Sequence, residues 1–170
     1  MREIARVLSV SIAILFAPSA FAQPTSMQDA TPCRKVAAER IAVPDDFTLT
    51  YRAGPVHASW GGSSITIVNA SGLVAIKEIQ RSKGRRGPRQ ERTSEKQISK
   101  QAVRRLYATV QACGFFDLDK SYWNKRVMDG SVSSMEITAG GKKHQVIVHH
   151  FAVERFRTIA SALSDALDKK

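Results

Sequence analysis

The sequence lacks the motifs by which the commonest enzyme active sites are recognised. Its 170 residues contain no Gly-x-Ser-x-Gly, P-loop, His-Glu-x-x-His, Ser-x-x-Lys or Cys-x-x-Cys pattern. Only two cysteines are present, and no apolar run reaches the roughly 20 residues that a membrane-spanning helix needs. These absences disfavour the commonest hydrolases, phosphate-binding sites and membrane-spanning proteins. We therefore expect no catalytic residue, no metal ligands, no cofactor and no transmembrane segment.

The N-terminal residues carry the ordered features of a secretory signal peptide. Arg2 and Arg6 give a basic start, residues 7–16 are almost entirely apolar, and Ala20-Phe21-Ala22 supplies a small-x-small cleavage site. Cleavage there begins the exported protein at Gln23, which is not the cysteine that a lipid anchor requires. The pattern predicts a periplasmic protein, with release from the cell as the open alternative.

Both cysteines, Cys33 and Cys113, lie beyond the predicted cleavage site. An even number of cysteines in an oxidising compartment favours a disulfide. The bridge would close a loop of about 80 residues and stabilise the fold by on the order of 4 kcal/mol in the chain-entropy model. Two separate buried thiols are the alternative.

Positive charge is concentrated in one segment of the chain. The formal net charge is +11, and eleven bases lie between Lys77 and Arg105 against three acids. Residues 81–89 contain no apolar side chain, which predicts a solvated hairpin loop. Arginine side chains suit bidentate recognition of phosphate or carboxylate groups. The candidate contacts to an anionic partner are Arg81, Lys83, Arg85, Arg86, Arg89, Arg92, Arg104 and Arg105, assisted by Lys96 and Lys100.

The hydrophobic periodicity predicts strands first, then a helix, a hairpin and a second helix. Alternating or β-branched runs occur at 47–52, 64–68, 73–80, 134–139 and 143–150, with a possible edge strand at 90–98. One helix is predicted at 100–113, between the N-cap Ser99 and the stop at Gly114, and another at 152–168. This order predicts a single α+β domain, with a mostly antiparallel sheet of four to six strands and two main helices on one face.

The predicted organisation has three parts. They are a signal peptide at 1–22, a partly disordered lead-in at 23–46 that includes a short helical turn through Arg40, and the α+β domain at 47–170. From Phe47 onwards the layout resembles a family of small exported bacterial proteins that carry a domain of unknown function. The resemblance rests on Gly54-Pro55 leading into Ser64-Ile65-Thr66-Ile67, on the Gly72 turn, on Ile98-Ser99, and on Cys113-Gly114-Phe115-Phe116 followed by Asp117-Leu118 and a hairpin before the last helix. It implies an α+β fold and no activity.

The sequence departs from that family in its first loop. Members carry Cys-x-x-x-Cys-Pro where this chain has Val56, Trp60 and Gly61, so no redox role is implied. His57 and Trp60, in a glycine-bounded loop, remain a possible ligand-facing pair. His149 and His150 do not favour a metal site, because adjacent strand residues face opposite sides of a sheet.

The leading hypothesis is a non-enzymatic envelope protein that binds an anionic partner through the basic segment. The partner would be a lipid head group, a cell-wall polymer or an acidic protein. Nucleic acid is disfavoured by export and by the absence of aromatic residues for base stacking in the loop. Two alternatives stay open: a cell-envelope hydrolase using Asp117, Asp129 and His149, and a domain whose charge serves only solubility.

Overall fold

Alternating side chains form the strands of this protein, and two amphipathic segments form its helices. The computed structural model describes residues 28–29, 32–34, 41–55, 62–81, 89–124 and 130–168. The elements in chain order are β1 (Gln28–Asp29), β2 (Thr48–Pro55), β3 (Ser63–Asn69), β4 (Leu73–Arg81), β5 (Arg89–Gln97), α1 (Lys100–Ala112), β6 (Ser121–Trp123), β7 (Ser131–Ala139), β8 (Lys142–His149), β9 (Ala152–Val153) and α2 (Glu154–Asp168). A single 3₁₀ turn, Phe115–Asp117, follows α1.

Strands β2 to β8 form one seven-stranded sheet in the order β5-β4-β3-β2-β7-β8-β6. All neighbours in it are antiparallel except β6 and β8, which are parallel. The predicted α+β class, with a mostly antiparallel sheet and two main helices, is confirmed. The strand beyond the expected range of four to six is β6, whose three residues are too few to show an alternation in the sequence.

One face of the sheet, the inner face, packs against both helices. Alternate strand residues point to it and are buried, among them Leu49, Val68, Val74, Met135, Ile137 and Val146. They form one hydrophobic cluster with Val103, Leu106 and Val110 of α1 and with Phe156, Ile159 and Leu163 of α2. The opposite face, the outer face, has no helix of the described chain packed against it. Among the described residues, no helix is long and apolar enough to cross a membrane.

The ends of α1 follow from local chemistry. The Ser99 hydroxyl accepts a hydrogen bond from the Ala102 amide at 3.1 Å, which satisfies one of the unpaired amides of the first turn. Gly114, with φ at 57°, provides the left-handed residue that ends the helix. The second helix begins at Glu154, two residues later than predicted, because Ala152 and Val153 pair with β1 instead.

The lead-in is attached to the domain at several points. The predicted disulfide is present between Cys33 and Cys113, and the Arg34 amide donates to the Ala112 carbonyl at 2.8 Å. Ile41 and Val43 pack against the hydrophobic cluster. Of the helical turn predicted from Thr31 through Arg40, residues 32–34 are described and are not helical, and the other residues lie outside the described ones.

The β7–β8 turn is closed by a carboxylate that is distant in sequence. Gly140 and Gly141 both have positive φ, 59° and 73°, as a two-residue hairpin turn of the primed type requires. The Asp46 carboxylate accepts a hydrogen bond from each of their amides at 2.7 Å. These two bonds, the Gly141 one foremost, favour the ionised form and lower the pKa of Asp46 below its ordinary value.

A candidate anion-binding hairpin at one end of the sheet

Three connections leave the sheet at the same end. Pro55, the last residue of β2, pairs with Ser131, the first residue of β7. Strand β4 runs in the same direction as β2, because both are antiparallel to β3, and it ends at Arg81 opposite Arg89. Pro55, Arg81, Arg89, Ser131 and His149 therefore mark what we call the hairpin end. The β2–β3, β4–β5 and β6–β7 connections all leave from it.

The β4–β5 hairpin is the most basic part of this end. Its register runs through nine residue pairs and finishes with Arg81 opposite Arg89. Its last two pairs extend past Ser63, the first residue of β3, which pairs with Ile79. The hairpin therefore projects beyond the neighbouring strand.

The last register pair places two bases directly opposite each other, an arrangement that destabilises a hairpin on its own. Lys83, Arg85 and Arg86 lie between them in sequence, in a connection outside the described residues. Residues 81–89 thus contain five bases and no acid.

The acids of the hairpin lie within strands β4 and β5, farther from the tip than the Arg81–Arg89 pair. Lys77 Nζ is 2.8 Å from Glu91 Oε2, and both side chains are more than two-fifths exposed, so the pair stabilises the fold little. On the inner face, Glu78 is the register partner of Arg92. Each of these acids stands beside a base, and the excess positive charge increases toward the tip.

The structure does not bring all the sequence-predicted bases together. Arg104 and Arg105 are exposed on α1, which begins beyond the far end of β5. A nine-residue strand is about 30 Å long, so these two arginines and the Arg81–Arg89 pair lie at opposite ends of β5. The basic residues form two separate groups.

Two lysines of the basic segment also lie away from the tip. Lys96 Nζ donates to the carbonyl of Leu167 in the last turn of α2, where a positive charge also suits the helix dipole. Lys96 therefore holds a helix end in place. Lys100 is an exposed residue at the start of α1.

The other candidate ligand pair, His57 and Trp60, falls on residues 56–61, outside the described ones.

The sequence did not point to Trp123, which lies at the edge of the sheet at the hairpin end. Its ring stacks on His149 with centroids 3.9 Å apart and planes 13° from parallel. His149 is only 1% exposed, and neither ring nitrogen has a hydrogen-bond partner among the described residues.

The histidines do not converge on a metal site. The rings of His149 and His150 are 6.5 Å apart and tilted, and His150 has already left the strand with a positive φ of 47°. His144 Nε2 is engaged with the Leu118 carbonyl at 2.9 Å. Within the described ranges, no group of three or more His, Cys, Asp or Glu residues could hold a metal ion.

A groove of about 370 Å³ opens between α2 and the inner face at the hairpin end. Tyr51, Ser133, Val148 and Phe156 are among its lining residues, and the Tyr51 hydroxyl donates to Ser133 Oγ at 3.5 Å. Arg157, the one lysine or arginine among the described residues that line it, is paired with Glu154 at 2.6 Å. The groove therefore offers hydroxyl groups and apolar surface, and the hairpin is the better site for an anion.

The residues suggested for a hydrolase are not assembled within the described chain. Asp117 lies next to Leu118, whose carbonyl contacts His144 near the start of β8, whereas His149 ends that strand at the hairpin end. Asp129 lies outside the described residues. Comparison with known proteins adds no candidate activity: no protein-family model matches the sequence, and no curated protein matches it.

Proposed function

We propose that this protein is an exported, non-enzymatic binding module of the cell envelope that contacts an anionic partner through the β4–β5 hairpin. The observation that carries the proposal is the register of that hairpin. It sets Arg81 opposite Arg89, at the two ends of a connection that holds three further bases and no acid. A cluster of like charges costs folding free energy unless an anion offsets it.

Arginine at these positions suits a partner with phosphate or carboxylate groups. A guanidinium group presents paired donors that match the two oxygens of such a group, and it stays charged at any physiological pH. The N-terminal segment, whose pattern predicts export, makes envelope components the relevant partners. Anionic lipid head groups, acidic cell-wall polymers and acidic proteins all carry these groups.

The two separate basic groups supply a matched pair of variants. Arg85→Gln with Arg86→Gln removes two charges from the hairpin connection, and Arg104→Gln with Arg105→Gln removes two from α1. At about 0.7 kcal/mol for each exposed ionic contact, within the range for surface pairs, the hairpin variant should bind roughly tenfold more weakly than the unaltered protein.

The test measures binding of the full chain to a fluorescent dextran sulfate by anisotropy at low salt. The proposal expects the hairpin variant to lose about tenfold in affinity and the α1 variant to stay within about twofold. Equal losses in the two variants would show that only the overall charge matters, and the hairpin would then have no special role.

A further inference from the structure

The groove between α2 and the inner face has the size of a small-molecule site. Its volume is about 370 Å³, and ligand pockets in proteins are typically roughly 300–1,000 Å³. It lies between the first two turns of α2 and strands β2, β7 and β8. The proposed contact with an anionic partner does not use this groove.

The polar groups on the sheet side of the groove are hydroxyls. Ser131 and Ser133 point to the same face of β7, because they are two residues apart on one strand. The Tyr51 hydroxyl reaches Ser133 Oγ at 3.5 Å, which is longer than the roughly 2.5–3.0 Å usual for such a bond. Each hydroxyl can both donate and accept, so this group suits a ligand that carries a hydroxyl of its own.

The rest of the lining is mainly apolar and partly aromatic. Val148, Phe156 and Ala160 contribute to it from β8 and α2. The Phe156 ring is inclined at 47° to the Tyr51 ring, with the two centroids 6.3 Å apart. A further aromatic ring beside this pair would gain edge-to-face or offset contacts in addition to burial. The lining therefore favours a ligand with an aromatic body and a hydroxylated end.

The charges in the lining favour an uncharged ligand. Among the described residues that line the groove there is no Asp or Glu. The Arg157 guanidinium is already paired with the Glu154 carboxylate. A ligand of either charge would therefore lack a free opposite charge from these acidic and guanidinium groups, and hydroxyls remain the main means of recognition on the sheet side.

One residue of the lining has an uncommon backbone conformation. His150, which follows β8, has a φ of 47°, in the left-handed region that residues with a Cβ adopt infrequently. A Cβ on Gly130 would lie only 3.1 Å from His150 Nδ1, so the ring lies close against the Gly130 backbone. The His150 carbonyl accepts a hydrogen bond from Asn124 Nδ2 at 3.3 Å. Held backbone strain of this kind is concentrated at ligand sites.

We infer that the groove binds a phenol, an uncharged aromatic ring that bears a hydroxyl group. The ligand hydroxyl pairs with Tyr51 and Ser133, and the ring lies against Phe156 and Ala160. A phenolic hydroxyl ionises only near pH 10, as that of tyrosine does, so the ligand is uncharged at physiological pH. The groove and the hairpin are separate sites, and this inference does not depend on the proposed function.

The test titrates para-cresol into the full chain and follows the backbone amide signals by NMR. Saturable shifts should centre on Ser131, Ser133 and Phe156, with a Kd in the millimolar range for so small a ligand. Toluene lacks the hydroxyl and should bind about three- to tenfold more weakly, the effect of one neutral hydrogen bond. Methylcyclohexanol keeps the hydroxyl but not the aromatic ring, and it should also bind more weakly.

Two sets of variants test the two parts of the groove. Tyr51→Phe with Ser133→Ala removes two hydroxyls and keeps both rings, so the affinity for para-cresol should fall about three- to tenfold while that for toluene stays within about twofold. Ala160→Leu fills the groove and should abolish binding of both ligands. Ala162→Leu is its matched control, because Ala162 is also half-buried on α2 but faces the cleft between α1 and α2. This control should bind para-cresol like the unaltered protein, and circular dichroism checks the fold of each variant.

The comparison of ligands uses the unaltered protein, so it tests the inference even where a variant does not fold. Shifts that do not saturate, or that centre on residues away from the groove, would overturn the inference. Equal affinities for para-cresol and toluene would show that the hydroxyls recognise nothing, and equal affinities for para-cresol and methylcyclohexanol would show that the rings do not select an aromatic ligand. Either result would overturn the assignment of a phenol.

Discussion

Breaking the Cys33–Cys113 bond should remove a large part of the stability of this fold. The two residues are 80 apart in sequence, so the bond restricts the unfolded chain over about half its length. In the chain-entropy model a loop of this size stabilises the folded state by on the order of 4 kcal/mol. Whole domains are stable by only about 5–15 kcal/mol, so the reduced protein should be only marginally stable.

The assay compares urea unfolding of the oxidised protein with that of Cys33→Ala/Cys113→Ala. With a slope of about 2 kcal/mol per molar urea, a loss of 4 kcal/mol moves the midpoint down by about 2 M. Reductant should produce a similar shift in the unaltered protein and none in the variant. A midpoint change below about 0.5 M would refute the reasoning, since the lead-in would then be held to α1 by its other contacts alone.

Two further substitutions test local features of the fold. Asp46→Ala should lower Tm at neutral pH, because it removes the carboxylate that caps the Gly140 and Gly141 amides. The pKa of Asp46 is lowered in the folded protein, so the stabilisation by its carboxylate is present above about pH 4 and is lost as the pH falls through the folded pKa. The Tm difference between the variant and the unaltered protein should therefore shrink in acid. A Tm difference that does not change with pH would contradict this origin. Gly72→Ala should cost about 1–3 kcal/mol, because φ is +86° and a Cβ there would meet the Ile98 carbonyl oxygen at 2.5 Å. Gly140→Ala, also at positive φ but in open space, should cost less in the same urea titration.

Features set by residues close in sequence could be predicted from the sequence. The α1 helix runs from its Ser99 cap to its Gly114 stop because both signals act within one turn of the helix. The two glycines of the β7–β8 turn likewise satisfy a purely local requirement for positive φ. The disulfide followed from cysteine number and the predicted compartment.

Features that depend on distant contacts could not be predicted in this way. The Asp46 carboxylate reaches a turn 94 residues away, and β6 exists because three residues find a parallel partner in β8. That pairing places Trp123 on the outer face over His149, a position that the sequence pattern does not indicate. The basic segment was visible as composition, but its division between the hairpin tip and α1 required the sheet topology.

The number of bases at the hairpin tip is larger than protection of the sheet edge explains. A charged edge strand also discourages pairing with other chains, and some charge on β5 is consistent with that role alone. Protection of the edge does not require five bases between residues 81 and 89 with no acid among them. The excess at the tip is the part that a ligand would explain.

Salt dependence of binding tests the electrostatic role of the hairpin most directly. Affinity for dextran sulfate is measured from low salt to 1 M for the unaltered protein and for Arg85→Gln/Arg86→Gln. At 1 M salt the screening length is only about 3 Å, so the two affinities should start well apart and converge as salt rises. Equal affinities at low salt, or a gap that salt does not close, would contradict the assignment of this hairpin as the anion-binding site.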